Sequence, residues 1–568
     1  MNVAILTANR SILFYTRIKG IGPNMQTDFE ALIRKLYPAI RALVLFVIGF
    51  TATYWETSVS GKDYLLTIGG GYEPAGNQAS LEANVLFFQE VVTEKYPGGV
   101  EHQIFFADGA DSQEDLQVMA PRTDPASPAI ALLDAAFALD RPSLSYRNHE
   151  VPNISGPISP RSIQSGLDEF AKRLSDGDRL IIYVTAHGGP ASGKDPMNTS
   201  ITCWRKESLS MRKFSDWLDR LPNSVPIVLV MAQCYCGGFA NTMFQGGDPS
   251  NGFSKAVRVG FFAQRFDLPA AGCRPDIEND EEYSSYFWGA FLGRSRTGKL
   301  AEGVDCDLNG CVSLNEAHAY AVKASRTIDI PLRSSDMFLR HYSRIAGYDS
   351  TRIKGSPSDS EKSGSEKSDS DLGLSHFTGD LTDISTLGTP DQRVIIEALA
   401  MQLGLPLDAE VIEVIQKNKA QSEVYQQSRL TAGRRGPGGA GGRGSRNSGR
   451  REFQRQIIES WPDLENPKDW KDLPWLRGEE GGTIFDELRQ LPSFGAYQKS
   501  LEDRRLARER ATDAELKGVQ FRRLVHTMES IVLAQNLPRL VSPDLLQRFQ
   551  AIVDLESSLF NPSDDRQP

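Results

Sequence analysis

Apolar and polar positions follow two alternating periods along the first two thirds of the chain. "YLLTIGG", residues 64–70, is an unbroken apolar run ending in glycines, the pattern of a strand buried on both faces. Leu81, Val85, Phe88 and Val92 then recur at helical spacing and predict a helix over 80–92. "HQIFFAD" (102–108) reads as a second strand. A helix over 159–174 opens on Ser159 and Pro160, a favourable start, and aligns Ile163, Leu167, Phe170 and Leu174. "RLIIYVTAHGG" (179–189) is a third strand, 208–221 an amphipathic helix, "VPIVLVMAQ" (225–233) a fourth strand and "VRVGFFAQ" (257–264) a fifth. Strands alternating with helices predict an α/β fold, a three-layer α/β/α sandwich around a mostly parallel sheet. In such sheets the chemistry gathers at the carboxyl ends of the strands.

The pattern divides the 568-residue chain. Residues 1–58 form an N-terminal segment, 59–348 the α/β domain and 349–378 a Ser/Asp/Lys-rich linker. A short helical segment spans 379–430, a Gly/Arg-rich linker 431–451 and a helical C-terminal region 452–568. In the first segment, the apolar run 42–55 follows Arg34, Lys35 and Arg41. Its length suits the hydrophobic stretch of a signal peptide better than a bilayer span of roughly 20 residues. Thr51, Ala52 and Thr53 offer a cleavage point, and Met25 an alternative start. The expectation is export, with a membrane anchor through 42–55 if the segment stays uncleaved. The alternative is a cytoplasmic protein in which this run is a buried element.

A net charge of −10 argues against nucleic-acid binding driven by overall charge, and no nucleic-acid partner is expected. The basic, glycine-rich stretch 434–451 reads as a flexible spacer, with an RNA- or anion-binding tail as the alternative. All six cysteines fall between residues 203 and 311, without the paired CxxC spacing of a zinc site, which leaves the redox compartment open.

Two of those cysteines, Cys234 and Cys236, sit where the fourth strand ends, just before a double glycine. A cysteine nucleophile acts as thiolate, so it needs a histidine within reach and donors for the oxyanion. Of the seven histidines, His187 ends a buried strand ahead of glycine, and Cys234 ends the next strand. Neighbouring parallel strands place the two at one sheet edge.

This arrangement, strand–"AHGG", helix, strand–"AQCYCGG", with His187 47 positions before Cys234, resembles the caspase–legumain–metacaspase superfamily of cysteine peptidases. "GGGYEPAGNQASLEANV" (69–85) and "FFAQRFDLPAAGC" (261–273) resemble the substrate-facing loops of its bacterial caspase-like subgroup. The resemblance covers residues 62–345 and implies a caspase-like sandwich and an endopeptidase acting on peptides or proteins. It makes His187 general base and acid, Cys234 the nucleophile, and the backbone N–H groups of Gly188 and Cys234 the oxyanion hole. Cys236 is expected to pack behind the site. Asn77, Gln78, Gln264 and Arg265 are nominated for substrate binding. Caspases end this strand in Gln-Ala-Cys, whereas this chain reads Ala-Gln-Cys-Tyr, so aspartate specificity is not carried over. Glu73 and Glu82 point to a basic residue before the scissile bond and Arg265 to an acidic one, which leaves specificity open. As in legumain-type enzymes, the C-terminal region is expected to cap the active site.

"DCDLNGCVSLNE" (305–316) fits the calcium-loop pattern D-x-[DN]-x-[DN]-G-x5-E. Calcium takes six to eight oxygens, here from Asp305, Asp307, Asn309, the Cys311 carbonyl, Ser313 directly or through water, and Glu316 with both oxygens. A structural calcium is the expectation, and Cys306 and Cys311 flank it. Two other function classes stand beside the peptidase: an inactive caspase-like interaction module, and an exported calcium-binding protein with structural cysteines.

Overall fold

The unbroken apolar runs become the middle of the sheet. The structure is a computed structural model describing residues 61–120, 127–137, 144–271, 282–348, 369–421, 448–476 and 478–561. In chain order it begins β1 (Asp63–Gly70), α1 (Ala79–Lys95), β2 (Glu101–Phe106), β3 (Leu116–Met119), α2 (Pro128–Phe137) and β4 (Leu144–Arg147). There follow α3 (Pro160–Ala171), β5 (Arg179–Gly189), β6 (Ser200–Thr202), β7 (Ser208–Ser210), α4 (Met211–Leu218), β8 (Ile227–Met231) and β9 (Arg258–Phe262). The domain closes with α5 (Tyr283–Leu292), α6 (Leu314–Ala324), β10 (Leu332–Arg333) and α7 (Ser334–Tyr342).

The strand order is β10-β9-β8-β5-β1-β2, parallel throughout except for β10. Every residue of β8 is fully buried, as a strand covered on both faces must be. Helices α1, α5 and α6 pack on one another in one layer and α3 with α4 in another. The fold is a three-layer α/β/α sandwich around a mostly parallel sheet.

Four short strands escape the periodic reading. β3 and β4 pair antiparallel outside the main sheet, with α2 between them. The predicted helix over 208–221 gives up its first residues to β7, which pairs with β6. It starts at Met211 because the Ser210 hydroxyl accepts the Lys213 N–H. With three or four residues each, these strands carry too little alternation to register.

The C-terminal helices are not a separate body. α8 (Leu381–Leu387), α9 (Pro390–Leu403), α10 (Ser448–Ser460), α11 (Gly478–Gln490), α12 (Phe494–Leu540) and α13 (Pro543–Glu556) follow. Ile395, Leu399, Leu524 and Met528 join the same apolar core as the sheet. The buried Arg523 guanidinium donates to the carbonyls of Val322, Ser325, Thr327 and Asp329, and Arg340 pairs with Glu529 at 3.0 Å. Composition therefore marks the linkers, whereas the apolar faces on either side of them share one core. A second cluster joins Phe453, Ile457, Trp470, Leu488 and Tyr497 to Leu133 of α2.

The chain's last described residues lie at the end of the sheet away from His187. Arg179 pairs with Asp63 at 2.8 Å and donates to the carbonyls of Leu559 and Phe560. Those two residues start β5 and β1, so this tail closes the amino edge of the sheet, opposite His187. The 42–55 run lies outside the described residues. Among the described residues, no helix is long and apolar enough to cross a membrane.

Candidate active site

Register sets the geometry. Val184 of β5 stands opposite Met231 of β8, and the Ala232 N–H donates to the Val184 carbonyl at 2.9 Å. His187 and Cys234 each lie three residues further on, so both emerge at the same level of the carboxyl edge. Gly188 lies against the Cys234 backbone: a β-carbon there would sit 1.9 Å from the Cys234 carbonyl oxygen. Both His187 and Cys234 are half-buried.

Two oxygens fix the tautomer of His187. Its Nε2 lies 2.7 Å from the Gly76 carbonyl and 3.0 Å from Oε1 of Gln78. Both are acceptors, so Nε2 carries the proton and the neutral ring keeps Nδ1 as its basic nitrogen. Tyr72 packs edge-on against the ring at 5.1 Å. Burial holds the His187 pKa below the usual histidine value, with the Gly76 carbonyl working against it.

The thiol of Cys234 meets the loop after β9. The Ala270 N–H donates to Sγ at 3.2 Å, and the Tyr235 N–H donates to the Leu268 carbonyl at 3.0 Å. Burial raises the Cys234 pKa, the Ala270 N–H lowers it, and the Asp329 carboxylate raises it again. Asp329 is itself pushed up to about 6 by burial, and it accepts the Ala271 N–H at 2.8 Å. Burial thus favours the uncharged form of both the imidazole and the thiol. Between the cysteines, Tyr235 adopts φ +59°, a left-handed conformation costing roughly 1–2 kcal/mol in a non-glycine residue. Cys236 is fully buried, where its Sγ accepts the Gln264 N–H at 3.2 Å.

The residues nominated for substrate binding divide. Gln78 is a partner of His187. Asn77 is fully buried: its Oδ1 accepts the Gly71 N–H and its Nδ2 donates to Asp115, so it shapes the loop instead of facing a substrate. Gln264 is likewise 1% exposed and bonded to the backbone of Pro269, Arg265 and Ile330. In both, the amide satisfies backbone groups of its own and a neighbouring loop that would otherwise be buried unpaired. Arg265 is partly exposed and pairs with Asp267 at 3.0 Å. Glu82 is buried in a two-pronged pair with Arg147, and Glu73 pairs with Lys206. Sequence reasoning missed Gly76, Ala270 and Tyr72; the first two act through backbone atoms, which leave no residue-type signal.

The loop 305–316 brings the carboxylate oxygens of Asp305, Asp307 and Glu316 within 4.8 Å of one another. Asp305 accepts the N–H of Gly310, which turns at φ +85°. Asn309 accepts the Cys311 N–H at 2.8 Å. The Ser313 hydroxyl caps α6 and donates to Glu316 at 2.9 Å. Three converging carboxylates on hard-oxygen donors fit a calcium ion. Cys306 and Cys311 carry free thiols.

No family model and no curated protein matches this chain. Among solved structures it is similar to protein GSU0716 of Geobacter sulfurreducens, at 10% identity over 41% of this chain and 82% of that one, with a TM-score of 0.25. A likeness at that level carries no argument.

Proposed function

We propose that this protein is a caspase-like cysteine endopeptidase working through His187 and Cys234. One observation carries the reading: His187 in β5 and Cys234, three residues past β8, lie at one level of adjacent strands, with the imidazole held so that Nδ1 is its free base. On this reading Nδ1 takes the Sγ proton as sulfur attacks the scissile carbonyl. The N–H groups of Gly188 and Cys234 stabilise the oxyanion. His187 then returns the proton to the leaving amine, and water attacks the thioester to release the acid and restore the thiol. Because the Ala270 N–H sits on Sγ, substrate entry displaces the 268–271 segment.

Calcium held by Asp305, Asp307, Asn309 and Glu316 would neutralise three clustered carboxylates and stiffen the approach to α6. Export is supported by the apolar run 42–55 behind basic residues. The substrate class is a peptide or protein, with the residue before the scissile bond unassigned.

The test compares wild type, Cys234→Ala, Cys236→Ala and His187→Ala on a peptide library varied before the scissile bond. Loss of turnover in the first and third variants, with Cys236→Ala active, is the expected result. Robust turnover by His187→Ala would overturn the dyad.

A further inference from the structure

A second cluster of metal-binding side chains lies outside the proposed dyad and the 305–316 loop. Asp108 follows β2, Asp115 precedes β3 and His149 follows β4, and their ligand atoms lie within 4.8 Å of one another. All three are removed from solvent: Asp115 is 1% exposed, and the Asp108 and His149 side chains 10% and 6%.

The hydrogen bonds there are incomplete in an informative way. Asp115 is oriented on both oxygens, by the His149 backbone N–H at 3.0 Å and by Asn77 Nδ2 at 3.1 Å. His149 donates its Nε2–H to the Gly109 carbonyl at 2.8 Å, which leaves Nδ1 as a lone-pair nitrogen. That Nδ1 is buried without a partner, and so is Asp108 Oδ1, which lies 4.0 Å from His149 Nε2. Buried polar atoms normally find partners, and two orphans in one three-residue cluster call for a missing group. Two carboxylates and an imidazole lone pair are a donor set that a divalent cation satisfies. Carboxylates held by outer hydrogen bonds, with an imidazole whose other nitrogen donates to a carbonyl, are the arrangement that supports metal ligands.

We propose that Asp108, Asp115 and His149 bind a first-row divalent transition ion of the zinc type. The imidazole donor separates this site from the all-oxygen 305–316 loop, because nitrogen suits zinc and oxygen suits calcium. Its position gives it a consequence for the dyad, and this clause rests on the peptidase reading. Asn77 ties Asp115 to the Gly71 N–H, while its neighbours Gly76 and Gln78 hold Nε2 of His187. An ion on Asp115 clamps the loop that orients the base.

The test is calorimetric titration of the full chain with zinc in a background carrying Cys234→Ala, Cys306→Ser and Cys311→Ser, which removes the half-buried thiols among the described residues as competing ligands. Cobalt is the spectroscopic probe, since sulfur ligation adds an intense charge-transfer band. One equivalent is expected to bind without that band and to resist a hundredfold excess of calcium. Asp108→Asn and His149→Gln are expected to weaken it at least tenfold. Asp108→Asn keeps the fold, because its Oδ1 has no protein hydrogen bond to lose. Unchanged affinity in that variant, a sulfur band, or displacement by calcium would each overturn the site. No turnover is read, so its failure leaves the dyad standing, and failure of the dyad leaves this result intact.

Discussion

The side-chain carbonyl of Gln78 lies 3.0 Å from Nε2 of His187 and shares that N–H with the carbonyl of Gly76. A residue at the start of α1, 109 positions away in sequence, thereby helps decide which imidazole nitrogen is basic. This is a positioning role, and it has a pH signature.

Burial holds the His187 pKa below its ordinary value, so kcat/KM should persist at pH values below about 6.5 before protonation of Nδ1 abolishes it. In Gln78→Glu, a carboxylate beside Nε2 favours the imidazolium and should move this acidic limb up by about one pH unit. Gln78→Ala should lower kcat by about tenfold and leave the limb near its wild-type position. Superimposable pH profiles for wild type and Gln78→Glu would show that the contact does not govern the base.

Gly188 offers a steric test. A β-carbon there would sit 1.9 Å from the Cys234 carbonyl oxygen and 2.9 Å from Cγ of Gln233, so backbone must move to admit it. Gly188→Ala should reduce turnover by about a hundredfold while leaving the melting temperature within a few degrees. Wild-type turnover in this variant would mean that the two strand ends need not approach so closely.

The two cysteines should separate cleanly in alkylation. Cys234 is half-buried at the loop surface, whereas Cys236 is wholly enclosed with its sulfur on the Gln264 backbone. Iodoacetamide on the native protein should modify Cys234 and leave Cys236 unmodified until the chain unfolds. Cys236→Ala should cost about 1–2 kcal/mol of stability through lost packing and a stranded N–H. Mass-mapped labelling of Cys236 in the folded protein would reverse the assignment.

The sheet was largely legible because its strands are buried on both faces, and such strands announce themselves as unbroken apolar runs. The 179–189 strand is legible to its ends, since glycines stop one side and a polar turn the other. Side-chain direction in the loops was not legible. Asn77 and Gln78 are adjacent and chemically alike, yet one turns inward to Asp115 and the other reaches His187. That choice depends on residues 38 and 109 positions away, beyond any local pattern. Where the C-terminal helices dock is not legible for a related reason. A glycine- and arginine-rich linker signals a change of composition, but it cannot reveal that Arg523 is buried against the carbonyls of residues 322–329.

Calcium removal gives a further measurement. Three carboxylates within 4.8 Å repel one another without a cation, so a calcium chelator should lower the melting temperature by several degrees. Glu316→Gln should lower it at the outset and abolish the response to chelator. A melting curve indifferent to calcium in the wild type would remove the ion from the 305–316 loop.

Glu556, at the end of α13, makes stability depend on pH with a definite sign. It is fully buried, its Oε1 accepts the Ser335 N–H at 2.8 Å, and its Oε2 has no partner. Burial pushes its pKa up to about 7, with Arg333 and Ser335 working against the shift and Asp336 adding to it. An unfolded glutamate titrates near 4.3, so between these values the folded chain holds a proton that the unfolded chain has released. Stability from this group is complete below about pH 4.3 and declines as pH rises towards 7, by about 3 kcal/mol in all. His318 and His526, lowered by burial, contribute with the opposite sign, but they do so in wild type and variant alike. The difference between wild type and Glu556→Gln isolates the carboxyl, because glutamine keeps the acceptor and never ionises. Denaturant titrations at pH 4.5 and 7 should show the variant gaining about 3 kcal/mol on the wild type across that interval. Parallel curves would mean that Glu556 is ionised in the folded chain, paired with Arg333 as a buried salt bridge.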